Sequence, residues 1–508
     1  MQKRIMGIET EYGNLLVDNK GSFCDEDAGQ ILLNHVWANK DGEFRFLNMF
    51  WDNRYKYYPE EDFWLGSNGG KIMIDNQVHL EYSSPECANA RDAALYSFAG
   101  DAIVERAVSS IRGSADFFDV RYKKYRDIFI TKDNCDFLRE STNPHEEVKS
   151  YGSHESYLIP ARFSKEQKWK GKNPYPEIFS SILIPFLVSR VILHGSGGLW
   201  WARENGWHYV LSPRALLTKK RYGVITVKDR PLIQIADERD SSGKMENLPQ
   251  WVRLHLIYAD SNMSHISTFL RFGTTSLALR LCEEKTWSVQ FPVLENPIAA
   301  LHAFASDPTL RETARAEDGN EYTALDLQKI CLEKALRLSL SKKEKEICRL
   351  WERTIAHLEM GPEYVSRELD WAIKKSFLES SAKKHSYDLQ DKKARIFCVR
   401  YSDLSDRGIF NMLKRAEGVE TLFSDEEIRS AVLNPPPYTR AQARARYIRA
   451  VLKLQSGHPF LSDVAVGWHY LHEGREFEID IKDPFCATNC ELDAFLREAD
   501  EQSKRTGE

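Results

Sequence analysis

Four carboxylates carry most of the chemical information in this sequence: Glu9 and Glu11 near its start, and Asp75 and Glu81 further along. Glu9 and Glu11 stand two apart in KRIMGIETEYG, so on a strand both point to the same side. Parallel carboxylates repel each other unless a cation lies between them. Mg²⁺ is such a cation, taking oxygens from one or two carboxylates together with substrate phosphates. Asp75 and Glu81 lie in NGGKIMIDNQVHLEYSSPE, residues 68–86. There Ile72, Ile74, Val78 and Leu80 share one parity, while Lys71, Met73, Asp75, Gln77, His79, Glu81 and Ser83 share the other. An extended chain would therefore be apolar on one face and titratable on the other. Taken singly, a wet Glu-Thr-Glu edge or an ordinary surface strand reads the same way. Two short segments making the same offer point to a site.

The elements that must position these residues are also legible. Asn68-Gly69-Gly70 is a turn signal, because Asn and Gly tolerate positive φ. Residues 89–111 follow with apolar side chains at helical spacing: Ala94, Leu95, Phe98, Ala102, Ile103 and Ala107. Residues 117–132 read as strands, and residues 150–158 alternate again, setting His154 opposite Glu155. From 185 to 301 the pattern suggests strands and turns, with Arg253 and His255 on one strand face and a helix from Thr268. Asp307-Pro308 has the form of a helix start, and residues 324–358 read as two helices joined by a solvated junction. The Lys-rich residues 380–395 suggest a linker, dividing a domain over 1–395 from a smaller one over 396–508. In the latter, Arg440 and Arg444 lie one helical turn apart, which suits either phosphate or a solvated helix face, and Trp468 falls in a short apolar strand.

Composition excludes several classes. With 508 residues, 42% of them hydrophobic and 29% charged, the chain suits a large globular core in more than one domain. A formal charge of −5 argues against a nucleic-acid or membrane-surface binder. The apolar run over 178–193 is interrupted by Ser180, Ser181, Pro185, Ser189 and Arg190, so it reads as core and not as a membrane span. Nine scattered cysteines without a Cys-x-x-Cys suit reduced thiols in the cytoplasm, and no signal peptide precedes Met6.

Several stretches in order carry a family resemblance: RIMGIETEYG, NGGKIMIDNQVHLEYSSPEC, SYGSHESYL at 150–158 and RLHLIYADSNMS at 253–264. Weaker blocks are PFLVSR at 185–190, FGTTSLAL at 272–279 and NPPPYTRAQARAR at 434–446. Together they resemble the Pup ligase and Pup deamidase/depupylase family from Arg4 to about Asp480. The resemblance implies an α+β, glutamine-synthetase-like fold: a curved, mostly antiparallel sheet backed by helices, with a small C-terminal domain. It implies ATP and Mg²⁺ as cofactors. It also implies chemistry at the side-chain carboxylate of a C-terminal Glu on a small Pup-like protein, or at a smaller carboxylate, with a lysine of a target protein as the acceptor. Carried over by residue, it makes Glu9, Glu11 and Glu81 metal ligands and Asp75 the catalytic base or nucleophile. Lys71, Ser84 and Trp468 become nucleotide contacts, and His154 a metal or phosphate contact.

The departures are specific. Lys71 stands where the family has Arg, keeping the charge but losing the two-pronged geometry. Met73 replaces a Tyr that helps hold metal, and a thioether is a poor Mg²⁺ ligand. Ala236 replaces an Arg within 235–240, and residues 137–149 lengthen the approach to SYGSHESYL. The aromatic stretch before the Asn-Gly turn is intermediate between the ligase and depupylase lengths. RIMGIETEYG looks like the ligase form, whereas SYGSHE, LVSR followed by Gly195-Ser196-Gly197, and YSDLSDRGIFNML look closer to the depupylase. Three readings follow: a carboxylate-activating ligase, slightly favoured; a nucleotide-dependent hydrolase of such tails or amides; and a non-catalytic nucleotide-binding relative.

Overall fold

The computed structural model describes residues 4–20, 23–24, 29, 31–32, 46–48, 63–75, 79–113, 125–136, 149–160, 177–234, 251–284, 291–457, 464–466, 468, 470–473 and 477–506. The aromatic residues 49–62, the insert 137–148 and the stretch 235–240 with Ala236 lie outside them. The chain forms two compact units, one from residues 5–130 and 423–508, the other from residues 1–4 and 131–422.

The first unit is built on strands β1 (Met6–Asp18), β2 (Phe46–Asn48), β3 (Phe63–Leu65), β4 (Lys71–Asp75) and β5 (His79–Ser83). Their order is β1-β5-β4-β3-β2, with every neighbour antiparallel. The β3–β4 turn is where the Asn-Gly signal placed it. Gly69 has φ +78°, and the Asn68 side chain accepts the Gly70 N–H at 3.0 Å. A Cβ on Gly69 would stand 2.5 Å from the Ala441 carbonyl, so the close approach of the helix Arg440–Gly457 also requires glycine.

The apolar parity of these strands faces helix α1 (Ala90–Gly113). Tyr12 donates to Asp101 at 2.9 Å, and a Cβ on Gly100 would lie 2.1 Å from the Tyr82 ring. One face of the sheet is thereby closed, and the titratable face is the one left to do chemistry. The C-terminal part of this unit is a three-stranded antiparallel sheet, Val464–Val466, Tyr470–Glu473 and Phe477–Asp480, with helices Arg440–Gly457 and Cys490–Thr506. Tyr447, Ile448, Val451, Leu471, Ile479, Leu492 and Phe495 form its core together with Trp64 of β3. Trp468 was expected in a strand but lies in the bend between Val464–Val466 and Tyr470–Glu473, where the hairpin reverses.

The second unit contains a sheet ordered Lys220–Gly223, Pro231–Gln234, Trp251–Leu256, Ser153–Pro160; its first pair is parallel and the others antiparallel. Around it the chain is more helical than expected. The apolar run is core, as its composition requires, but it is folded as the helices Glu177–Ser189 and Val191–His194. His265–Glu283 is buried along almost its whole length. The helix expected from Thr268 begins three residues earlier, at His265, with Ser264 as its N-cap. No helix among the described residues is long and apolar enough to cross a membrane.

Two local expectations are corrected. Asp307-Pro308 does not start a helix: Pro297–Ser306 ends there, having begun on Asn296 as N-cap with Pro297 at its first turn. Asp307 instead folds the following turn, accepting N–H groups from Thr309, Arg311 and Glu312. Residues 380–395 are not a loose linker. Helix Asp370–His385 ends at Ser386 in the left-handed region, and Lys392–Tyr401 begins on Asp391. Between them Tyr387 and Leu389 pack on Leu199, Tyr209 and Leu378, while the Gln390 amide binds both the N–H and C=O of Trp207. The pair Ala324–Leu336 and Lys342–Met360 forms as read, each helix with a capping box, Thr323/Asp326 and Ser341/Glu344.

Candidate active site

Register turns the alternation of three strands into rungs. Glu9 lies opposite Ser83 and Ser83 opposite Lys71; Glu11 lies opposite Glu81 and Glu81 opposite Met73; His79 lies opposite Asp75. All of these belong to the parity turned away from Tyr12, Tyr82 and Ile72. Directly opposed side chains on adjacent strands stand about 5 Å apart at Cβ. Carboxylate oxygens of Glu11, Asp75 and Glu81 lie within 4.8 Å of one another. Glu81 is 3% exposed, and its carboxyl is pushed well above the usual range, first by burial and then by the charges of Glu9, Glu11 and Asp75. The Ser83 hydroxyl donates to it at 3.1 Å, a weaker, opposing influence.

This arrangement brings together four of the expected residues, Glu9, Glu11, Asp75 and Glu81, and adds one. His79 shares the titratable parity, and its Nδ1 lies 3.5 Å from Glu11. Its parity with Asp75 and Glu81 was the available signal. Met73 is half-buried directly opposite Glu81 and offers only a thioether there.

Two of the expected nucleotide contacts, Lys71 and Trp468, meet on Trp64. Lys71 Nζ sits 5.8 Å from the centre of the Trp64 ring, and Trp468 meets Trp64 edge-on at 4.8 Å between centroids. Ser84 follows β5 and is already engaged, its Oγ accepting the Ile8 N–H at 2.9 Å. His154 belongs to the other unit. There its ring stands edge-on to His255, 5.3 Å between centroids, and its Nε2 is 3.3 Å from an Arg214 nitrogen. His255 in turn meets the Gln234 side chain at 2.6 Å, and Arg253 donates to Ser156 at 2.9 Å.

The tandem arginines fill neither role proposed for them. Arg440 Nε donates to Glu86 at 2.6 Å, and Arg444 donates both to Glu86 and to the Gly69 carbonyl, the latter at 3.0 Å. Burial would raise the Glu86 carboxyl, but Arg444 and Arg440 outweigh it and hold the group below its usual range. Burial draws Arg444 down to about 10, with Glu86 opposing and Arg440 adding to the shift, and it stays charged at neutral pH.

A family model described as Pup-ligase protein matches residues 4–472. The Pup–protein ligase of Acidimicrobium ferrooxidans is 29% identical over 98% of this chain and 99% of its own. The depupylase of Acidothermus cellulolyticus is 30% identical, with 87% of each chain covered. Among solved structures, the complex between the prokaryotic ubiquitin-like protein Pup and its ligase PafA matches with a TM-score of 0.76 at 25% identity, covering 98% of this chain and 93% of that one. The acidic strands, the Asn-Gly turn and the arginine helix therefore lie within one inherited framework, and this chain belongs to the Pup-ligase protein family.

Proposed function

We propose that this chain is an ATP- and Mg²⁺-dependent carboxylate–amine ligase, which activates the side-chain carboxylate of a C-terminal Glu and joins it to an amine. The observation that carries the reading is the group Glu11, Asp75 and Glu81, three carboxylates converging on one strand face with Glu81 buried and hard to ionise. Such a donor set fits Mg²⁺: hard oxygens, excess negative charge and a cost of ionisation that a cation would remove. Glu9, Glu11 and Glu81 would hold it, and when bound it would shield the phosphate charge of ATP.

The chain's own residues supply the rest. Lys71 and Ser84 orient the nucleotide phosphates, and Trp468 contacts the nucleotide from its hairpin. His154, beside His255 and Arg214, presents the nitrogen donors of a metal or phosphate contact. The substrate carboxylate takes the γ-phosphoryl group, releasing ADP, and the amine then attacks the acyl carbon and displaces phosphate. Asp75, ionised, takes the proton that the amine must lose. Its place at the end of β4, half-buried, leaves it open on the face where the acidic groups converge.

The carboxylate is that of a Pup-like protein or a smaller molecule, and the amine a lysine of a target protein, as the named relatives suggest. We read 1–395 as the catalytic region and 396–508 as a smaller C-terminal region, in which helices Arg440–Gly457 and Cys490–Thr506 and the three-stranded sheet share one hydrophobic cluster with Trp64. The described cysteines are free thiols, which suits the cytoplasm.

The 30% identical depupylase supports a second reading, a nucleotide-dependent hydrolase in which Asp75 attacks an amide carbon. Single-turnover assays separate the readings: the ligase yields ADP in step with product, the hydrolase cleaves with little ADP, and a non-catalytic relative does neither. Asp75→Asn should lower turnover by roughly a hundredfold or more while sparing ATP binding. Activity within a few-fold of the parent would remove Asp75 from the mechanism.

A further inference from the structure

Arg444, which the catalytic reading does not use, is built tightly into the first unit. Its side chain is fully buried, and its guanidinium lies 4.8 Å from the centre of the Trp64 ring and 4.7 Å from that of Trp468. It also binds the Glu86 carboxylate and donates to the Gly69 carbonyl. One planar cation thus touches β3, the β3–β4 turn, the segment after β5 and the C-terminal hairpin. Arg449, further along the same helix, binds the Gly66 and Ser67 carbonyls of that turn at 2.6 and 2.5 Å. Trp64, 3% exposed, is the shared wall: Lys71 lies over it and Trp468 packs edge-on against it.

We infer that Arg444 and Trp64 are positioning residues for the nucleotide, fixing Trp468 of the C-terminal hairpin relative to Lys71 of β4. The inference rests on the proposal that Lys71 and Trp468 contact nucleotide. It adds that their spacing is set by the buried contacts of Arg444 with both indole rings. The chemistry suits arginine in particular. A guanidinium can lie against both indoles, which meet edge-on, while its forked N–H groups reach a carboxylate and a carbonyl, whereas an ammonium has neither the plane nor the fork. These contacts add to the hydrophobic cluster that the hairpin shares with Trp64, and they leave Trp468 half-buried.

The test uses the full chain and ADP with Mg²⁺ as the probe, measured well below each variant's unfolding temperature. Arg444→Lys should raise the ADP dissociation constant by about tenfold or more, and Trp64→Phe by several-fold, with the folded baseline intact. A purely structural role would lower the unfolding temperature and leave the affinity of the folded protein within twofold of the parent. That result in Trp64→Phe and in folded Arg444→Lys, alongside a weakened Trp468→Ala, overturns the inference alone. Should Arg444→Lys not fold, Trp64→Phe against Trp468→Ala decides it. Unchanged ADP affinity in Trp468→Ala overturns it together with the nucleotide assignment beneath it.

Discussion

Glu81 and Glu86 lie five residues apart and are equally hidden, at 3% and 7% exposure, yet their surroundings are opposite. Glu81 is ringed by Glu9, Glu11 and Asp75 and resists ionisation; Glu86 is held between Arg440 and Arg444 and ionises readily. Burial is thus not what separates them. Glu155, in the other unit, repeats the second pattern: Arg190 donates to it at 2.7 and 2.9 Å and Arg271 lies at 2.8 Å. Burial opposes its charge, but these two guanidinium groups hold the carboxyl far below the usual range. Glu86 and Glu155 carry their own counter-cations and are parts of the framework. Glu81 shares its face with three more carboxylates, the feature on which the proposed ion site rests.

The sharpest way to break this contrast is to neutralise each carboxylate in turn. Glu86→Ala leaves two arginines facing each other in the interior and should destabilise the protein by about 3–5 kcal/mol, read by denaturant unfolding. Glu81→Gln should leave the metal-free protein as stable as the parent or more so, because it removes a buried like-charge repulsion. Equal losses in the two variants would erase the distinction.

Mg²⁺ should sharpen it. In the parent, added Mg²⁺ should tighten ATP binding, and Glu81→Gln or Glu9→Ala should weaken that response by about tenfold or more. Glu155→Gln should leave the response unchanged while lowering stability. A full Mg²⁺ response in both site variants would remove the metal assignment.

The pH dependence should have opposite slopes. Glu81 binds its proton more tightly in the fold than in the unfolded chain. In metal-free protein its contribution to stability is therefore present below the unfolded value, about 4.3, and lost as pH rises through the raised value. Glu86 binds its proton less tightly in the fold. Its contribution is present above the ordinary range and lost as pH falls through the lowered value. Unfolding free energies of the parent minus Glu81→Gln should thus decrease with pH, and those of the parent minus Glu86→Gln should increase. Parallel slopes would contradict the contrast.

The smallest effect is expected at Met73, directly opposite Glu81. Met73→Tyr supplies an oxygen where the thioether offers none, and should lower the Mg²⁺ concentration needed for half-maximal ATP binding by about two- to fivefold. No change would mean that the side chain opposite Glu81 does not reach the ion.

Local periodicity alone determined a good deal of this protein. The alternation through β4 and β5, the Glu-Thr-Glu of β1 and the Asn68-Gly69 turn fixed which side chains share a face, because side chains alternate along any extended chain. Helix α1 and the pair Ala324–Leu336 and Lys342–Met360 were equally legible, since each keeps a polar side toward water. Through Glu177–Ser189, apolar almost throughout, that signal vanishes and only its place in the core was legible. Cap chemistry misled at Asp307, since the same side chain that caps a helix also folds a turn. Tertiary structure decided the partners. Nothing in the spacing of Arg440 and Arg444 shows that they bind a carboxylate 354 and 358 residues away, or that Trp64 and Trp468 both pack against one of them. A local pattern states what a side chain offers, whereas the charge that answers it is set by which distant segment packs there.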